Sequence, residues 1–144
     1  MEPLDLTKRA PRSPRNRLGG LYMLARTIDK MRATLPGGNP GVYQIAGFSE
    51  RLLKALDSPE DDLRSVIALA STEDEVVAWV HKHGDPAKYD EINQSLSAVT
   101  VGERMDRPDF LARYPVITQK GLPPGMTLLE MLEIDDAEMG LSPT

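Results

Sequence analysis

Apolar residues recur at three- and four-residue intervals through most of the chain, separated by clusters of glycine, proline and small polar residues. That spacing is the period of one helix face. Period-two alternation is scarce, so the pattern predicts an all-α fold. The first run extends from Leu21 to Leu35. With Ile28 at the centre and about 100° per residue, Leu21, Leu24, Ala25, Met31 and Leu35 fall within about 60° of it. Arg26 and Lys30 fall on the opposite side, which the pattern assigns to solvent or to the N-terminal segment. Pro36-Gly37-Gly38-Asn39-Pro40-Gly41 ends this helix.

Further helices carry their own punctuation. Ser49 is a plausible cap for residues 50–56, and Ser58-Pro59 followed by three acids opens a helix to about Ala70. Thr72 and Glu75 form a capping box for a helix that ends near Gly84 and buries Val76, Val77, Trp79 and Val80. Asp85-Pro86 starts another, with Tyr89, Ile92, Asn93 and Leu96 on one face. Residues 106–114 predict a short helix, and residues 115–125 a loop. Thr127 and Glu130 box the start of a last helix through Leu128, Leu129, Met131 and Leu132. The expectation is a compact single-domain bundle of about five to seven helices over residues 18–144. Ahead of it, residues 1–17 contain Pro3, Pro11 and Pro14 and predict an extended basic arm.

Charge is unevenly placed. Residues 1–32 hold eight bases against three acids; the remainder holds nine bases against nineteen acids. An arm that lies across its own acidic body is the simplest consequence. The acidic body would repel a nucleic acid or an anionic membrane, so neither is an expected partner. The chain of 144 residues is one domain's worth, and no run approaches the ~20 apolar residues of a membrane span. It has no cysteine, which removes disulfides, thiolate metal sites and thiol nucleophiles. No secretory signal is visible in residues 1–20, and a cytoplasmic location is expected.

Candidate chemistry concentrates at the arm and first helix. Arg32 lies about 40° from the centre of the apolar stripe. A cation there needs a partner, and Asp29, three residues earlier, is within reach. Such a pair either orients an anionic ligand or ties two helices together. Arg12 and Arg15, in the stiff arm, can present their guanidinium forks to an anion or to acidic residues of the body. His81 and His83 point about 200° apart on a helix, so they do not chelate one metal; no metal or cofactor is expected. Asp135-Asp136 reads as helix-end charge. No phosphate loop, nucleophile elbow or dinucleotide fingerprint is present.

Leu6-Thr7-Lys8, Pro11-Arg12-Ser13-Pro14-Arg15, Leu18-Gly19-Gly20, Ala25-Arg26 and Asp29-Lys30-Met31-Arg32-Ala33 together resemble an uncharacterised bacterial family, domain of unknown function family 5069. The resemblance is densest over residues 4–33 and continues more loosely through Tyr43, through Arg51-Leu52-Leu53 and into the acidic C-terminal helix. It implies a bacterial, soluble, single-domain protein and brings no activity or catalytic residue with it.

The function expected from these residues is binding of a small anionic ligand, a carboxylate or phosphate, near the arm and first helix. Arg12, Arg15, Arg26 and Arg32 are the candidate contacts, with Asp29 orienting Arg32. Whether the protein is an enzyme is left open; if so, Asp29 or Lys30 would move a proton. The alternative is a protein-interaction module, docking through the basic arm on a partner or on a second copy of the chain.

Overall fold

In a computed structural model, residues 1–141 are described; the last three residues of the expected domain lie outside them. Eight α-helices succeed one another: α1 (Leu24–Ala33), α2 (Phe48–Ala55), α3 (Glu60–Leu69), α4 (Glu73–His83), α5 (Tyr89–Ser97), α6 (Pro108–Arg113), α7 (Val116–Gln119) and α8 (Leu128–Glu138). Short 3-10 turns at Pro86–Lys88 and Val101–Arg104 join some of them. The described residues form no strand, only isolated bridges such as Asp5 with Asn39. The all-α expectation holds. One helix more than expected comes from α7, inside the stretch expected to be a loop. Pro115 supplies a helical φ at its start, and Gly121, at φ 58°, turns the chain out of it. Val116 and Ile117 are buried, so packing rather than local preference holds this single turn.

Two of the expected caps form, whereas Ser49 lies inside α2, whose cap position is Gly47, and α3 starts after Pro59 with no side-chain cap. The Thr72 hydroxyl accepts from the Glu75 amide at 3.4 Å, and Thr127 accepts from the Glu130 amide at 3.2 Å. On α5, the buried residues are Tyr89, Ile92, Asn93 and Leu96, one stripe at helical spacing. On α4 only Val76 and Val80 are buried; Val77 and Trp79 are half-covered.

The main departure concerns α1. It packs on α2 and α3 along its apolar stripe, yet nine of its ten residues are buried, Arg26, Asp29 and Lys30 among them. Arg26 and Lys30 are therefore not on an outer face. The arm and α8 cover the side opposite the stripe, so α1 is enclosed on all sides. Residues 1–17 are tied down: Leu6 N–H donates to Asn39 O at 2.7 Å, Asn39 N–H to Leu4 O at 2.9 Å and Met23 N–H to Pro14 O at 2.9 Å. Leu4 and Leu6 form a small satellite core with Ala33 and Tyr43. The arm is extended, as its prolines require, and it is part of the packed body.

Candidate functional site

Enclosing a helix that carries Arg26, Asp29 and Lys30 obliges each charge to find a counter-charge, a hydrogen bond or a cavity. The three solutions differ, and the difference locates the site.

Asp29 is answered by the arm. Its carboxylate accepts from Arg12 backbone N–H at 2.8 Å, Arg12 Nε at 3.1 Å and Arg12 Nη2 at 3.0 Å. The same guanidinium pairs with Glu73 at the start of α4. Arg12 thus bridges α1 and α4, and every strong acceptor around it is already used.

Arg26, 2% exposed, is answered by α8. Its Nη1 donates to Asp136 Oδ2 at 2.7 Å and its Nη2 to Asp136 Oδ1 at 3.0 Å, a two-pronged pair. Asp136 Oδ1 also accepts from the Tyr43 hydroxyl at 2.9 Å, and the Tyr43 ring lies against the guanidinium at 5.5 Å. Burial, and then the charge of Asp136, holds the Tyr43 phenol well above its ordinary range, so it stays a neutral donor. Arg26 Nε is buried without a hydrogen-bond partner among the described residues.

Lys30 has no such answer. The residue is 7% exposed and its ammonium makes no ion pair among the described residues; its one hydrogen bond is a long one, 3.4 Å, to the Ser49 hydroxyl. Burial, followed by the nearby charges of Arg26 and Arg113, drives its pKa down to about 7. Lys30 instead lines a cavity of about 130 Å³, together with Arg26, Tyr43, Arg113, Tyr114 and Asp135. At the ~30 Å³ a water occupies in the liquid, that is room for a few waters or one compact ligand. Asp135, 8% exposed, has its pKa raised to about 6 by burial and by the adjacent Asp136 charge, with Arg26 and Arg113 pulling the other way. The Tyr114 phenol is raised by burial.

Two backbone features shape the cavity wall. Met23, just ahead of α1, sits at φ 67° and is buried, a left-handed conformation that costs a side chain roughly 1–2 kcal/mol. Gly47, ahead of α2, adopts φ 58° and ψ −121°, a region that essentially only glycine occupies. Both lie in the lining. Left-handed backbone therefore accompanies a buried cation that has no counter-ion among the described residues.

The sequence matches a family model described as a domain of unknown function (DUF5069) over residues 8–137. The chain belongs to the DUF5069 family. No curated protein matches it at a significant level. The matched span reaches from the arm into α8 and includes every lining residue named above.

Among the residues expected to act, the DUF5069 domain brings only Arg26 and Lys30 to the cavity. Asp29 pairs with Arg12 and does not orient Arg32; Arg32 is half-buried and its Nε donates to Glu2 O at 2.8 Å. Arg15 lies on the surface and pairs with Glu133 and Glu130 of α8. His81 Nε2 meets Gly19 O at 2.8 Å and His83 Nδ1 meets Trp79 O at 2.9 Å. No group of three or more histidines, aspartates and glutamates among the described residues could hold a metal ion, and no described helix is long and apolar enough to cross a membrane.

Sequence reasoning missed Asp135, Asp136, Tyr43, Arg113 and Tyr114. For the two aspartates a signal existed: Asp135 stands seven residues after Leu128, and Asp136 seven after Leu129, so both continue the apolar stripes of α8. An acid on a buried stripe calls for a buried base.

Proposed function

We propose that this DUF5069 domain binds a compact organic or inorganic anion, a small carboxylate or phosphate, in the cavity between α1, α8 and the 42–48 loop. The observation that carries the reading is Lys30: a buried lysine that lines a cavity, has no carboxylate partner among the described residues and is near two guanidiniums. An anion supplies the missing counter-charge. Tyr43 and Tyr114 line the same space with neutral hydroxyls, and Arg113 stands at its exposed rim as a guanidinium fork. The domain is read as a bacterial, cytoplasmic one; its lack of cysteine fits a reducing compartment.

The arm arginines contribute indirectly. Arg12 and Arg15 are consumed by ion pairs within the chain, which speaks against an arm free to dock on a partner protein.

Thermal-shift measurement with acetate, malonate and phosphate at constant ionic strength tests the reading. A ligand at 100 times its dissociation constant adds about 2.7 kcal/mol to the folded state. For a domain of this size that is a rise of several degrees. The rise should vanish in Lys30→Met and shrink in Arg113→Ala. No stabilisation by any of the three anions, or an equal response in Lys30→Met, would rule the reading out. Binding should also weaken as pH climbs above about 7, where the free protein's Lys30 loses its proton.

A further inference from the structure

The cavity offers more than charge complementarity. A lysine serves as an amine nucleophile only when part of it is neutral at working pH, and burial beside other cations is one way to arrange this. Lys30 meets the structural half of that requirement. The residue is more than nine-tenths buried, makes no ion pair among the described residues, and lines a partly open cavity with Arg26 and Arg113. A salt-bridging lysine would have a carboxylate within 4 Å, as Lys120 has in Glu138.

The other groups in the cavity match what carbonyl capture needs. A carboxyl group, Asp135, lines the same space without a hydrogen bond or ion pair among the described residues. This leaves it free to give and take a proton. Arg113 can hold a carboxylate at the rim, because Arg26 is committed to Asp136 in two-pronged fashion. A carboxylate and a carbonyl one bond apart define a short 2-oxo acid, of a size the cavity admits.

We propose that Lys30 condenses with the carbonyl carbon of a small 2-oxo acid to form an imine. This rests on the anion-binding reading of the same cavity. The neutral Nζ adds its electron pair to the carbonyl carbon, making the C–N bond, while the carbonyl oxygen takes a proton from the Asp135 carboxyl. The nitrogen gives a proton back to Asp135. The nitrogen lone pair of the resulting carbinolamine then forms the C=N bond as the C–O bond breaks, and Asp135 delivers its proton to the hydroxyl, which departs as water. The iminium nitrogen returns its remaining proton to the Asp135 carboxylate, so amine plus carbonyl become imine plus one water, and no oxidant or reductant enters.

The experiment uses the full chain with pyruvate as the probe and sodium borohydride as the trap. The hydride reduces the C=N bond and leaves a carboxyethyl group fixed to the nitrogen, which peptide mass mapping assigns to one lysine. The five other lysines, Lys8, Lys54, Lys82, Lys88 and Lys120, are internal standards. At pH 7 an ordinary lysine is neutral on the order of once in a thousand molecules or less, so Lys30 should be labelled at least tenfold faster than any of them. A parallel thermal-shift titration with pyruvate separates the two readings. Preferential labelling at Lys30, saturating with pyruvate and lost in Lys30→Arg, is the expected result. Stabilisation by pyruvate with even labelling of all six lysines overturns the imine and leaves anion binding standing. Neither stabilisation nor preferential labelling overturns both. Since the comparison is made within the wild-type chain, it holds even if a Lys30 variant folds poorly.

Discussion

At the residue scale, α1 contains three ways of keeping a charge inside a protein. Asp29 is surrounded by donors from one arginine, Arg26 by a matched carboxylate, and Lys30 by a cavity. Only the third leaves chemistry undone, which is why the site is placed there. The Arg26–Asp136 pair permits a sharp test. Removing one partner leaves a buried charge without compensation, a loss of about 3–5 kcal/mol; replacing both by apolar groups of similar size is often close to neutral. Arg26→Met should therefore destabilise strongly in urea denaturation, Asp136→Leu likewise, and the double variant should recover most of the loss. An additive double variant would mean that the pair does not act as a unit. Tyr43 should feel the change too, because its hydroxyl loses its acceptor with Asp136.

At the element scale, the arm acts as a wall of the core. It contributes Leu4 and Leu6 to a satellite core, backbone bonds to the 36–41 turn, and Arg12 as a clasp between α1 and α4. Arg12→Ala should leave Asp29 buried without its counter-ion, holding only the backbone N–H of residue 12, at a cost of about 3 kcal/mol. Limited proteolysis should then find new cleavage within residues 1–17 before the helices are cut. If the arm stays protected in a fully folded Arg12→Ala protein, the clasp is not what fastens it. The elements themselves were largely legible in the sequence because their ends are chemically marked: Thr72 with Glu75, Ser58 with Pro59, Thr127 with Glu130. What escaped was tertiary. A helical wheel assigns one face of α1 to solvent, but a helix covered on both sides has no solvent face. Its polar residues then record which neighbours they meet. α7 was hidden for a related reason. Four residues among prolines and glycines carry no period of their own, and Val116 and Ile117 are helical because the core needs them there. Arg113 and Tyr114, at the end of α6, carry no local sign that the chain will return them to Lys30.

At the scale of the whole molecule, the two titrating groups of the cavity impose a pH signature on stability. Asp135 is raised from 3.8 to about 6. Between those values the folded state holds a proton that the unfolded state has released, so stability falls as pH rises across that window and the penalty is complete above it. Lys30 is lowered from 10.5 to about 7. Between about 7 and 10.5 the unfolded state holds the extra proton, so stability rises with pH there, and the penalty is complete below about 7. The two penalties are both complete only from about pH 6 to 7, each on the order of a few kcal/mol. A Lys30→Met/Asp135→Asn protein carries neither. Its gain in urea midpoint over wild type should peak near pH 6–7 and shrink towards both pH 4 and pH 10. A gain that is flat with pH would mean the two groups titrate as they do in the unfolded chain. The site is then least comfortable when empty at neutral pH, the condition in which a bound anion beside Lys30 offsets most. Stabilisation of the wild type by a saturating small anion should follow the Lys30 limb of this profile, large at pH 6–7 and fading by pH 9, because only the ammonium needs the counter-charge.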